Sequence, residues 1–229
     1  MELDHSPWLE GARLTGVVGH FGTGKTELAV NMALALAGRR RRVALADLDI
    51  VDPYFRSREC RQVLEGRGVA LITSSQACAD ADVPAVPAQV QALFEPQGGF
   101  GILDLGGDAS GVRVLARFRR GFLQAGGRLL CVVNGSRPLS DTADKALSYL
   151  EQIQDAAGLP IDGLVNNTHL CDWTREEDIL FGAELAREVS RRTGIPLVCH
   201  MVRRELISRL PPMDEPVFPI TLYMKKPWE

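Results

Sequence analysis

Short apolar runs alternate with longer amphipathic stretches along this chain. The runs lie at residues 14–18, 43–46, 69–73, 101–105, 129–133, 163–166 and 197–202, and each is almost continuously apolar. Strands buried on both faces of a sheet read this way, because neither face needs polar residues. Helical spacing fills the intervals at 25–37, 87–94, 112–124, 141–157 and 175–193. In the first of these, Leu28, Met32, Ala35 and Leu36 fall on one stripe. Repeated strand–helix–strand units predict a doubly wound α/β fold with a mainly parallel sheet of about seven strands and helices on both faces. No internal repeat or linker interrupts the series, so residues 1–229 read as a single domain. Gly38 and the run Arg39-Arg40-Arg41-Arg42 close the first helix, as a solvated cationic end suits a helix C-terminus.

In such a sheet, ligands bind outside the carboxyl ends of the strands. Polar, loop-forming clusters follow the strands at 19–26, 47–53, 104–108, 134–137, 166–169 and 203–205. The fold therefore predicts that they converge on one sheet edge.

Composition narrows the function classes more than it names one. With 45% apolar and 24% charged residues, the chain has ordinary globular usage. A net charge of −3 gives no case for general nucleic-acid binding. The 5 cysteines are widely spaced and include no C-x-x-C, which argues against disulfides or a zinc site within one chain and for a reducing cytoplasm. Residues 1–7 have no apolar segment of a secretory signal, and no run approaches the ~20 residues of a spanning helix.

The sharpest signal is Gly19-His20-Phe21-Gly22-Thr23-Gly24-Lys25-Thr26, a full G-x-x-x-x-G-K-T between a predicted strand and a predicted helix. Its glycines let backbone N–H groups turn toward a phosphate, and the helix N-terminus adds positive potential. Lys25 is placed to neutralise phosphate oxygens and the Thr26 hydroxyl to hold Mg²⁺, with Glu27 on the same first helical turn. After the second strand comes Asp47-Leu48-Asp49-Ile50-Val51-Asp52-Pro53, whose acids suit Mg²⁺ or an attacking water. Ile102-Leu103-Asp104-Leu105-Gly106-Gly107 is a D-x-x-G arrangement, in which Asp104 faces Mg²⁺ and the Gly107 N–H senses a γ-phosphate.

Phosphate loop, D-x-D and D-x-x-G in this order resemble the MinD/ParA/nitrogenase-iron-protein group of P-loop NTPases and the related CobQ/CobB-type domains, from about Leu14 to Leu206. The resemblance implies ATP and Mg²⁺ binding, slow ATP hydrolysis and a nucleotide-dependent homodimer. It makes Lys25 and Asp49 the catalytic pair, with Asp49 orienting water, and Thr26, Asp47, Asp49 and Asp104 the Mg²⁺ side. One departure stands out. Where much of the group carries an early signature lysine that reaches its partner's nucleotide, this chain has His20.

Base choice rests on Leu164-Val165-Asn166-Asn167-Thr168-His169. A guanine reader N-K-x-D needs a carboxylate three residues after its Asn, and both candidate positions, His169 and Leu170, lack one. Asn167, then Asn166, is the expected adenine contact, with Arg203 at the border of the base. Arg56 and Arg58 read as surface or packing residues, and His5, His169 and His200 as structural. The tail Lys225-Lys226-Pro227-Trp228 follows a segment broken by Pro219, which argues against an amphipathic membrane anchor.

The leading expectation is a cytoplasmic ATPase acting as a nucleotide switch or accessory factor for an unknown protein client. One rival is an ATP-dependent ligase or kinase of the CobB/dethiobiotin-synthetase type, walled by Ser74-Ser75-Gln76 and Asn134-Gly135-Ser136-Arg137. The other is a nucleotide-binding scaffold that does not hydrolyse.

Overall fold

A computed structural model describes residues 7–39, 41–49, 57–73, 88–95 and 99–224. His5, Asp52, Arg56, residues 74–76 and the tail at 225–228 lie outside the described residues. The strands are β1 (Leu14–Gly19), β2 (Val43–Asp47), β3 (Val69–Thr73), β4 (Phe100–Asp104), β5 (Gly127–Val133), β6 (Gly163–Asn166), β7 (Leu197–Arg203) and β8 (Val217–Ile220). They form one 8-stranded sheet in the order β3-β2-β4-β1-β5-β6-β7-β8, with every pairing parallel. The first seven are the apolar runs of the sequence. The eighth was not expected: Pro219 masks it, yet proline is tolerated on an edge strand, where β8 sits.

The helices are α1 (Lys25–Gly38), α2 (Arg61–Gly66), α3 (Ala88–Leu93), α4 (Ala109–Ala116), α5 (Arg119–Gln124), α6 (Ala143–Ala157) and α7 (Glu176–Thr193). The helix expected at 112–124 is two. The chain turns at Phe118, whose N–H reaches back only to the Leu115 carbonyl at 2.9 Å and whose ring stacks on Phe94 at 5.3 Å. Alternation along β5 shows how the layers form. Leu129, Cys131 and Val133 pack under α4 and α6, while Leu130 and Val132 pack under α1 with Leu28 and Met32. The end of α1 is tied down: Arg39 and Arg41 both reach Glu10, at 3.3 and 2.6 Å, so these two arginines are paired ends and not merely solvated ones.

Central β1 lies between β4 and β5: the crossover that leaves β1 runs to β2 on one side, and the one from β4 passes β1 to reach β5 on the other. That reversal opens a crevice at its carboxyl end. Asp47 and Asp104 are direct register partners at the ends of β2 and β4, next to that crevice.

Candidate functional site: a phosphate loop and an apolar cleft

The loop after β1 is shaped by its glycines and by borrowed contacts. Gly24 caps α1 in the left-handed conformation at φ 90°, a geometry that costs a side-chain-bearing residue about 1–2 kcal/mol. Thr23 closes the loop on itself, its N–H and hydroxyl both donating to the His20 carbonyl at 3.1 and 2.8 Å. Asn167 donates its Nδ2 to the Thr23 carbonyl at 2.7 Å, and Arg137 donates its Nε to the Gly22 carbonyl at 2.9 Å. The β6 and β5 loops thereby hold the phosphate loop from the side.

His20 points away from any cationic role. Its ring stacks on Tyr149 at 4.5 Å, and burial, with Lys25 nearby, holds its imidazole below the usual histidine range. Tyr149 also donates its hydroxyl to the Gly107 carbonyl at 3.2 Å, so one α6 side chain links the phosphate loop to the D-x-x-G turn. Lys25 is buried at 6% exposure, and among the described residues no carboxylate lies within ion-pairing distance of it. A Cβ on Gly107 would stand 3.0 Å from its Nζ. A buried ammonium without a direct ion pair is costly, and an anion arriving there would offset the cost.

Three acids gather at or just after the ends of β2 and β4. Asp47, Asp49 and Asp104 are all buried. Ser57 donates to Asp104 Oδ2 at 2.5 Å, and Arg58 pairs with Asp47 at 3.2 Å. Burial, with Asp47 as like-charged neighbour, pushes the Asp104 carboxyl up to about 7, against opposing bonds from Ser57 and Thr26 and the Lys25 charge. Asp104 Oδ1 is buried without a hydrogen-bond partner among the described residues. An oxygen-seeking cation beside the Thr26 hydroxyl would answer both the orphaned oxygen and the crowded charge. No cluster of three or more His, Cys, Asp or Glu side chains among the described residues could hold a metal alone. Mg²⁺ needs no such cage, because phosphates and water supply most of its shell.

Beyond Thr26 the loop opens into a cleft of about 180 Å³. Lys25, Thr26, Asp49, Arg137 and Asn167 line its polar end. Met201, Val202, Leu206, Ile220, Leu222 and Met224 line the apolar end. Arg203 stands at the rim, held by Glu205 and by the Cys171 carbonyl at 3.1 Å. Half-buried His169 also faces the cleft, and loss of solvation, with the Arg137 charge nearby, pushes its imidazole down to about 4.

The two asparagines part company. Asn167 lines the cleft with its Nδ2 donating to the Thr23 carbonyl, which leaves its amide oxygen as the acceptor it has to offer a ligand. Asn166 is not among the lining residues. Its amide is used up beneath the site, accepting from the Thr168 N–H and hydroxyl at 3.0 and 2.8 Å and meeting the Ile179 carbonyl and His200. Glu27 lines the cleft, but its carboxylate accepts from the Tyr223 and Met224 N–H groups at 2.7 and 3.2 Å and not from anything beside the phosphate loop. Sequence reasoning missed Ser57, Tyr149 and the 221–224 segment, since each reaches the site only through folding. Arg58, read as a surface or packing residue, pairs with Asp47.

Comparison with known families settles the class. The CobQ/CobB/MinD/ParA nucleotide binding domain family matches residues 19–217. The chain belongs to that family. No curated protein matches the chain. Among solved structures, the domain resembles FtsY from Thermotoga maritima with a TM-score of 0.55 at 22% identity, covering 82% of this chain and 61% of that one. Chloroplast FtsY from Physcomitrella patens gives 0.54 at 16% identity, covering 81% and 57%. The 54 kDa signal recognition particle protein from Aeropyrum pernix K1, solved with GDP, gives 0.52 at 18% identity, covering 85% and 43%. This CobQ/CobB/MinD/ParA-type domain thus shares the P-loop NTPase fold with those proteins while spanning about half of their length. Among the described residues, no helix is long and apolar enough to cross a membrane.

Proposed function

We propose that this domain binds ATP with Mg²⁺ and hydrolyses it slowly, acting as a nucleotide switch for a protein client. The carrying observation is the buried Lys25 ammonium, next to Gly107 and without a direct ion pair among the described residues, at the crevice where the in-register pair Asp47 and Asp104 also ends its strands. A phosphate chain is the ligand that such a divided arrangement of charge accepts. Mg²⁺, when bound, would neutralise phosphate oxygens and would be held by Thr26 with Asp104, Asp47 and Asp49 at hand.

Lys25 and the loop amides bind the phosphate oxygens and stabilise charge that builds there as the bond to the γ-phosphorus breaks. Asp49, buried at the cleft wall, orients the attacking water and accepts its proton. Because His20 is stacked against Tyr149 and held neutral, the domain does not use a second loop cation to reach a partner's nucleotide. Asn167 presents an acceptor suited to the amino group of adenine, and no carboxylate stands at Leu170 to pair with guanine. Loss of the γ-phosphate would release Asp49 and the segment at 106–111, changing affinity for the client or for a second copy. Neither a nucleic acid nor a membrane enters this reading.

Calorimetric titration of wild type and Lys25→Ala with ATP and GTP in Mg²⁺ tests the assignment. Loss of ATP binding in the variant is expected, with ATP preferred over GTP in the wild type. Retained micromolar affinity would remove the phosphate loop from the site. Single-turnover hydrolysis should fall about 100-fold or more in Asp49→Asn while ATP still binds. An unchanged rate would leave the domain a non-hydrolysing binder.

A further inference from the structure

Residues 221–224 form a strap over the first turns of α1, and the strap is built from unusually expensive bonds. Asn31 grips it at both polarities, donating Nδ2 to the Thr221 carbonyl at 2.9 Å and accepting from the Thr221 N–H at 3.0 Å. Glu27, one turn earlier, accepts from the N–H groups of Tyr223 and Met224, and its Oε1 also accepts from Asn31 Nδ2 at 3.2 Å. Glu27 and Asn31 are 6% and 7% exposed, so both polar groups are withdrawn from water to make these contacts. No arginine or lysine pairs with Glu27 among the described residues. Two backbone N–H groups and an amide are its whole compensation, a costly use of a carboxylate if the only return were to dock four residues.

The strap's other side explains the expense. Leu222 and Met224 line the cleft together with Ile220, whose register partner on β7 is Arg203, so the strap continues the apolar lining that Met201 and Val202 of β7 and Leu206 after it provide. These side chains make the apolar end, while Lys25, Thr26 and Asn167 make the polar end. A nucleotide with its phosphates at Thr26 would lay the face of its base along this apolar end. Thr26 and Glu27 are adjacent, so the helix turn that would hold the phosphate side also carries the latch for the opposite wall. The family match ends at residue 217, before the strap begins.

We propose that residues 221–224 are the specificity wall of the nucleotide site, and that Glu27 and Asn31 are positioning residues that latch this wall to the phosphate-loop helix. This rests on the nucleotide-binding reading above. The wall contacts the base by dispersion and by exclusion of water, so it favours a nucleotide over a bare phosphate chain, to which it contributes nothing.

The full chain as Glu27→Ala, Glu27→Gln, Leu222→Ala and wild type is titrated with ATP, GTP and inorganic tripolyphosphate in Mg²⁺. Amide exchange at Tyr223 and Met224 is followed in parallel. Wild type should bind ATP more tightly than tripolyphosphate, and ATP should slow exchange at both amides. Glu27→Ala should weaken ATP about tenfold or more, leave tripolyphosphate within twofold and speed the two amides. Glu27→Gln should recover part of both effects, because its amide oxygen still accepts from Tyr223. Leu222→Ala leaves the latch intact and should weaken ATP alone by a smaller factor. Equal weakening of ATP and tripolyphosphate in Glu27→Ala would make Glu27 part of the phosphate machinery and overturn the proposal. Unchanged ATP affinity in both Glu27→Ala and Leu222→Ala would also overturn it. A wild type that binds tripolyphosphate and ATP equally would refute the wall while sparing the phosphate loop. A wild type that binds neither would refute the nucleotide reading itself.

Discussion

Gly24 shows how a single position joins backbone geometry to ligand chemistry. Its φ of 90° starts α1, and a methyl group there would overlap the Asn167 amide that braces Thr23. Gly24→Ala should therefore lower stability by roughly 1–3 kcal/mol and weaken ATP binding by more than tenfold, seen together by thermal unfolding and ATP titration. Unchanged ATP affinity with lowered stability would separate Asn167 from the binding site. At this scale much of the site is legible in the sequence, because Gly24, Lys25 and Thr26 are adjacent and their spacing is itself the chemistry. The place of Asn167 beside the loop could be read as well, since it directly follows a strand. The sequence ranks Asn167 ahead of Asn166, but what consumes the Asn166 amide could not be read from it. Successive residues face opposite ways at a strand end, and only the position of α7 and His200 decides which amide is consumed below the site. Ser57 and Tyr149 were invisible for the same reason: they are 47 and 42 residues from the atoms they touch.

The element that sets this geometry is α7. Gly182 lies in its interior, where alanine would ordinarily favour the helix by up to about 1 kcal/mol. Here a Cβ would overlap Thr168 and approach Asn166 Oδ1 at 2.6 Å. The helix must move or the β6 loop must, and overpacking of this kind costs about 1–3 kcal/mol. The clash exceeds the propensity gain, so Gly182→Ala should be net destabilising in denaturant unfolding. It should also loosen Asn167 and reduce ATP affinity, while substitution to Ala at exposed Gly66 of α2, with nothing near its Cβ, should do neither. A stabilised Gly182→Ala protein would show that α7 is free to shift. Among elements, seven strands were legible because a parallel sheet buried on both faces leaves a near-continuous apolar signature. β8 was not, since an edge strand of four residues with a central proline carries no period, and its alignment comes from Phe218 and Ile220 packing against the α1 face. The break at Phe118 was hidden because both halves keep helical spacing.

At the scale of the molecule, one buried network ties the last third of the chain together and makes its stability depend on pH. His200 on β7 has no exposed side-chain surface; its Nδ1 meets Asn166 and its Nε2 meets Glu215 at 3.0 Å, while Arg187 on α7 reaches Glu215 at 2.7 Å. The Arg187 guanidinium, aided by His200, holds the Glu215 carboxyl down at about 2, against the ordinary 4.5. A depressed folded value means that this stabilisation is fully present above about pH 4.5 and disappears as pH falls from there toward 2. Burial lowers the His200 imidazole despite Glu215, so protonation favours the unfolded chain below about pH 6.5. The two effects have the same sign: acid destabilises. At one pH unit per 1.36 kcal/mol, Glu215 contributes at most about 3 kcal/mol at neutral pH, less what its 20% exposure returns to solvent. Thermal unfolding of wild type and Glu215→Gln from pH 7.5 down to 3 reads this directly. The variant should unfold several degrees lower at neutral pH, and the gap should close progressively below about pH 4.5. A gap that stays constant across that range would mean that the glutamine merely disturbs packing, and that the charge at Glu215 has no part in holding α7 and β7 together.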